Sequence, residues 1–338
     1  MSARKASPAR AARPPSRLRL PAQAARAAKA ADRIASSRLA RTLVALATLA
    51  IAVLLIGGEL KSVPLADIAR AIASTPPRAI ALCIAFTAAT YACEAVIEWH
   101  ALRFIGRPLA LGRTLLAASA SSALSIAMGF GLASGTAARL RFYAFANLGA
   151  ADVAKVTALV SGALFLSGMI ALGLSGFGGL GIIGGILHWP EWGVALLSAA
   201  LLLTLPAWIL ALKRWPGRDR KAFGPRGRVL TLAAGLGNWG FQGAALFALS
   251  GHPIAHFPGF LAAFCLGSLI GSAVGVPADL GVLEATVLGS HALGAAHQGA
   301  AALVLFRLIF QVIPLVLATG AMMLRPIART VRKNSRPA

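Results

Sequence analysis

Acidic residues are scarce in this chain. Among its 338 residues, 10 Asp and Glu stand against 33 Lys and Arg, and charged residues of both signs make up only 13%. Soluble domains carry about 25%. With 58% hydrophobic residues and a mean hydropathy of +0.76, this scarcity excludes an ordinary soluble domain and points to a polytopic membrane protein. Cysteine is equally sparse: Cys83, Cys93 and Cys265 are scattered through apolar runs. An odd, dispersed set gives neither a disulfide framework nor zinc spacing, so the three read as small buried hydrophobes. His291 and His297 have no ligand spacing with a carboxylate, which argues against a metal site. The Gly-rich run 173–185 follows no strand and opens no βαβ unit, which argues against dinucleotide binding. No Ser/His constellation stands out either. The expectation is therefore a protein without cofactor or metal, and not an enzyme.

What is abundant is positive charge, in three places: residues 1–41, the loop 213–228 and the tail 325–336. A formal net charge of +23 raises nucleic acid as a partner. Because the basic runs abut apolar spans, anionic lipid headgroups and the positive-inside rule account for them better, and no nucleic acid is expected. Residues 1–38 read as a basic disordered cytoplasmic tail, 39–325 as the transmembrane domain and 326–338 as a basic cytoplasmic C-terminal tail. An organellar transit peptide shares the composition of the first segment. The Ala/Arg bias of the whole chain favours a bacterial inner membrane protein with both termini cytoplasmic.

The apolar runs give an all-α polytopic architecture. Full spans are expected at Thr42–Ile56, Ala79–Trp99, Val153–Leu174, Trp192–Leu212, Val229–Ser250 and Ala300–Leu324, and a turn at 175–185. Val63–Ser74 is amphipathic and reads as interfacial. Were Thr114–Gly135 a full crossing, the basic loop 213–228 would fall outside, so this Ser/Gly-rich run is expected to enter and return. The arms Phe257–Val276 and Val282–Leu293 flank a second break. About six spans plus two interrupted or re-entrant elements, one in each half, is the pattern of an inverted repeat with a midplane site.

The second break, Gly275-Val276-Pro277-Ala278-Asp279-Leu280-Gly281-Val282-Leu283-Glu284, holds two carboxylates in an apolar stretch. A carboxylate at that depth costs on the order of 3 kcal/mol on insertion scales. Glu284 and Arg307 are both deep in apolar sequence and are expected to pair, as a structural lock or a gate. Asp279 sits at the turn, where it is suited to cap the arm starting near Leu280. Glu94 and Glu98 share a helical face; they either line a polar cavity, handling a proton or cationic headgroup, or snorkel beside Trp99, His100 and Arg103. Arg139 and Arg141, followed by Tyr143, offer planar donor forks for a lipid phosphate. The alternative is a plain cytoplasmic anchor pair.

Three passages together resemble the transmembrane flippase region of the lysylphosphatidylglycerol synthase family, also called the multiple peptide resistance factor. They are Ala101-Leu102-Arg103-Phe104-Ile105-Gly106-Arg107-Pro108-Leu109; Gly135-x-x-x-Arg139-x-Arg141-x-Tyr143 with Gly149; and Pro277-Ala278-Asp279-Leu280-Gly281-Val282-Leu283-Glu284-Ala285 with Arg307 and Pro314. The resemblance covers roughly residues 80–325. At the break the family usually reads Pro-Gly-Gly-x-Gly, and here Ala278 and Asp279 stand in place of glycines. The resemblance implies a flippase that moves an aminoacylated or other anionic phospholipid between leaflets, supporting resistance to cationic antimicrobial peptides. Family members continue into a soluble synthase domain; this chain ends at Ala338 with a basic tail, so no synthase activity is expected in it.

The resulting expectation is a lipid transporter whose partners are its phospholipid substrate, the anionic membrane surface, a separate lipid synthase and, in a homo-oligomer, further copies of itself. Arg139, Arg141 and Tyr143 are its candidate phosphate residues. Glu94, Glu98, Asp279, Glu284 and Arg307 are candidates for the headgroup or a gating pair. With no nucleotide motif, the drive would come from a lipid gradient, the membrane potential or protons. The alternatives are an intramembrane lipid-modifying enzyme and a non-transporting scaffold.

Overall fold

A computed structural model describes residues 65–128, 136, 139–140, 142–143, 146, 148–206, 209–210, 224–275, 279, 281–289 and 296–320. The two expected tails, the run Thr42–Ile56, Arg141, Pro277, His291 and the basic loop 213–223 lie outside the described residues. Among the described residues every regular element is helical: α1 (Leu65–Ser74), α2 (Pro77–Phe104), α3 (Leu111–Met128), α4 (Ala150–Gly176), α5 (Leu180–Leu187), α6 (Glu191–Leu202), α7 (Pro225–Phe247), α8 (Phe257–Val274), α9 (Val282–Val287) and α10 (Ala296–Arg307). A π-helical turn, Leu308–Val312, carries α10 onward, and the helix runs to Gly320.

Proline and glycine set many of the boundaries. Pro77, Pro225 and Pro258 occupy the first turns of α2, α7 and α8, where a missing N–H costs nothing and φ is already helical. Gly275 ends α8 in the left-handed conformation, at φ 77°, as helix C-caps commonly do.

Four stretches are long and apolar enough to cross a membrane: Pro77–Phe104, Ala150–Gly176, Ile254–Val274 and Gln298–Gly320. A fifth arises if the pair Leu180–Leu187 and Glu191–Pro206, bent by 104°, is one broken span. This points to a membrane protein, as do the exposed apolar side chains on the outer faces, among them Leu82, Ile84, Leu174, Leu196, Leu230 and Leu317.

The expected spans Ala79–Trp99, Val153–Leu174 and Ala300–Leu324 overlap three of these stretches, and the expected arm Phe257–Val276 the fourth. Trp192–Leu212 overlaps the second half of the bent pair, Glu191–Pro206, in which α6 has 12 residues, about 18 Å at 1.5 Å per residue. The Gly-rich run expected as a turn instead supplies the end of α4 and the helix α5. Helix α7, with 23 residues, is long enough, but Thr231, Asn238, Gln242 and its glycines keep it out of the apolar set. Helix α3 is described as far as Met128, and the expected return falls on residues 129–135, outside the described residues.

Helix α7 packs along α2 and also meets α4 and α8; α3 lies on α2, and α8 packs against both α4 and α9. The amphipathic α1 packs on α10. Phe247, Phe260, Phe264, Phe306 and Phe310 centre one apolar core. Ile97, Leu102, Phe104, Phe142 and Val156 belong to a second, around α2, α3 and the start of α4. Close approach of α4 and α7 depends on Gly168, where a Cβ would lie 2.6 Å from the Trp239 ring. That ring is fixed, because its Nε1–H donates to the Leu164 carbonyl at 2.8 Å. Gly168→Ala should therefore destabilise the protein by about 1–3 kcal/mol, the usual cost of overpacking, read as a lower midpoint of SDS-induced unfolding in mixed micelles. Gly240→Ala, with nothing within 4 Å of its Cβ position, should leave the midpoint unchanged.

Candidate functional site

Helix α2 puts Glu94 and Glu98 one turn apart, and both are buried, at 5% and 0% exposure. They do not snorkel to an interface. That work is done at the end of α2, where Arg103 stacks on the Trp99 ring at 4.6 Å, and in the turn after it, where Arg107 meets Asp152 of α4 at 3.2 Å in an exposed pair.

Glu98 is held by two residues from the segment between α3 and α4. Arg139 Nε–H donates to its Oε1 and an NH2 proton to its Oε2, both at 2.9 Å. Tyr143 donates its hydroxyl to Oε1 at 2.7 Å. This planar, two-bond grip is the geometry for which Arg is suited. Arg139 is thus a buried partner of α2 rather than an interfacial anchor, and a lipid phosphate would have to use its other donors or displace Glu98. Arg141 lies outside the described residues.

Glu94 is held less completely. Asn238 of α7 donates from Nδ2 to its Oε1 at 3.3 Å, and to the Thr90 carbonyl at 3.4 Å. Glu94 Oε2 is buried without a hydrogen-bond partner, as is Ser121 Oγ on α3. Buried polar atoms are rarely left so.

The second carboxylate group is built at the break. Glu284, in the first turn of α9, accepts from the Gly281 N–H on Oε2 at 2.5 Å and from Arg307 NH2 on Oε1. Arg307, at 0% exposure, also donates to Gln311 at 3.4 Å. The expected Glu284–Arg307 pair is therefore present. The cap of this arm differs from expectation. Glu284 reaches back to the Gly281 N–H in the manner of a capping box, and Asp279 packs instead against Gly271, where a Cβ would lie 2.6 Å from its Oδ1. Ser272 Oγ–H donates to Asp279 at 3.4 Å. Asp279 and Gly281 both take left-handed backbone, at φ 56° and 81°, a region that Asp tolerates better than most side chains.

Tyr91 joins the two groups. It lies one turn before Glu94 on α2 and donates its hydroxyl to the Phe310 carbonyl at 3.0 Å, while its ring stacks on Phe310 at 5.7 Å. Phe310 sits in the π turn directly after Arg307; π turns displace carbonyls from the regular ladder and recur at functional sites. The chain has 15 Phe but only 2 Tyr, and both tyrosine hydroxyls are used here. That scarcity was a readable signal for Tyr91. Asn238, Ser121 and Gln311 carry no charge, and nothing in their local sequence marks them. No group of His, Cys, Asp and Glu among the described residues is arranged to hold a metal ion.

No protein-family model matches the chain, and no curated protein matches it.

The two carboxylates of α2 should respond differently to neutralisation. Glu98→Gln strands the buried Arg139 charge and should cost about 3–5 kcal/mol. Glu94→Gln keeps an acceptor for Asn238 and should stay within about 1 kcal/mol of wild type. Equilibrium unfolding of the two variants in the same micelles makes the comparison.

Proposed function

We propose that this protein is an integral membrane lipid transporter that moves an aminoacylated or other anionic phospholipid between leaflets. The observation that carries the reading is the run of polar side chains inside an apolar bundle: buried Arg139, Tyr143 and Glu98, then Glu94 with Asn238, then Tyr91 leading to buried Arg307 and the partly buried Glu284. Ionisable groups inside membrane proteins mark substrate and ion pathways, and interrupted helices carry such sites in transporters. Helix α8, the Gly275–Gly281 break and α9 form one such interruption. The resemblance to the flippase region of the lysylphosphatidylglycerol synthase family supports the same substrate class.

In this reading the headgroup enters the polar run beside α2. Arg139, with Arg141, takes the phosphate, its guanidinium exchanging or sharing Glu98 for the lipid oxygen. Glu94 and Glu98 receive a cationic headgroup amine. The Glu284–Arg307 pair, seated on the π turn, holds the broken arm closed and is the gate. The protein sits in a bacterial inner membrane with both termini cytoplasmic, and a separate enzyme supplies the lipid.

Lipid scrambling by the purified protein in liposomes tests this. With headgroup-labelled phosphatidylglycerol and lysyl-phosphatidylglycerol, wild type should move lipid and Arg139→Ala/Arg141→Ala should lose at least about tenfold in rate, the effect of roughly 1.4 kcal/mol. Equal rates would remove the phosphate site from these arginines. Chemical conversion of the lipid without movement would favour a lipid-modifying enzyme.

A further inference from the structure

The incomplete hydrogen bonding at Glu94 has a specific chemical meaning. An ionised carboxylate accepts on both oxygens and donates from neither. Glu94 has a donor on Oε1, from Asn238, and none on Oε2, although the side chain is more than nine-tenths buried. The surrounding charges sharpen the point. Arg139 gives two hydrogen bonds to Glu98 and acts on Glu94 only through space, one guanidinium between two carboxylates. On its own helix Glu94 is faced by Tyr91, Cys93 and Glu98; from the segment beside it comes Arg139; α7 and α3 present Asn238 and Ser122. Two carboxylates and one guanidinium leave one negative charge to be neutralised. A proton on Oε2 would neutralise it and turn the unpartnered acceptor into a donor, while Asn238 and Ser122 hydrogen-bond the same carboxyl group.

We infer that Glu94 is a proton-binding site, and that loading and release of this proton couple the bundle to the transmembrane proton gradient. This rests on the transport reading for its use, but not for its existence. The proton enters Glu94 as the lipid leaves and departs when a cationic group arrives, so the polar run never holds an unbalanced carboxylate.

Infrared spectroscopy of the intact protein in lipid tests the site. The wild type should show a protonated-carboxyl carbonyl band that changes with pH and is weakened in Glu94→Gln, while Glu191→Gln keeps it in full. A wild-type spectrum with no pH-dependent carboxyl band, or one unchanged in Glu94→Gln, overturns the inference. Should Glu94→Gln fail to fold, dicyclohexylcarbodiimide, which modifies protonated carboxyls in apolar surroundings, assigns the band in wild type: mass spectrometry should find the adduct on Glu94 and not on Glu98. An adduct on Glu98 alone contradicts the assignment. A pH dye trapped in the liposomes separates coupling from transport. A titrating Glu94 band with no lipid movement defeats the transport reading and leaves the site; lipid movement with no such band defeats the site and leaves the transport reading.

Discussion

A carboxylate enclosed by apolar helices must be neutralised by something, and in this protein the two-bond contact between Arg139 and Glu98 is where that requirement is met most fully. Glu98 is wholly buried at the heart of α2, the helix against which α3, α4 and α7 all pack. Arg139 supplies the opposite charge there, and breaking a buried pair by removing one partner is strongly destabilising. The pair therefore draws residues 139–143 inward onto α2, and Tyr143 follows with its own bond to the same oxygen. Placement of that segment, and with it the entry to α4, follows from one carboxylate.

The break after α8 answers the same requirement with different parts. There the backbone itself is interrupted, so freed N–H groups need acceptors as well as the charges needing partners. Glu284 serves both needs at once, taking the Gly281 N–H on one oxygen and Arg307 on the other. Asp279 can lie so close to α8 only because position 271 is glycine. Tyr91 ties α2 to the π turn that follows Arg307, so one hydroxyl joins the helix that carries Glu94 and Glu98 to the segment that carries Arg307.

Much of this was legible in the sequence. Charged residues in apolar runs are few, so Glu94, Glu98, Glu284, Arg139 and Arg307 stood out, and the pairing of Glu284 with Arg307 followed from there being no other reason for either to be buried. The partner of Glu98 was harder. A spacing of 41 residues between Glu98 and Arg139 carries no periodic signal, and positive-inside anchoring explains an arginine after an apolar run equally well. The cap at the break was misjudged because Asp279 and Glu284 are both acceptors near a helix start, and only the left-handed turn through Asp279 decides between them. Apolar composition and helix length part company in the bent α5–α6 pair and in the polar α7. The neutral members, Asn238 and Ser121, were invisible because an amide or hydroxyl inside a membrane helix satisfies itself often enough to pass without comment.

The most direct test of the central interaction is a double-mutant cycle between Glu98 and Arg139, using Glu98→Gln, Arg139→Gln and the double variant, with unfolding free energies measured in mixed micelles. If the pair holds the segment onto α2, each single variant leaves one buried charge unpaired. The double variant is then more stable than the sum of the two losses predicts, with a coupling at the upper end of the range for interacting residues, about 2–3 kcal/mol. Losses that simply add would mean that Glu98 and Arg139 do not depend on each other, and the account of the fold built on their contact would not stand.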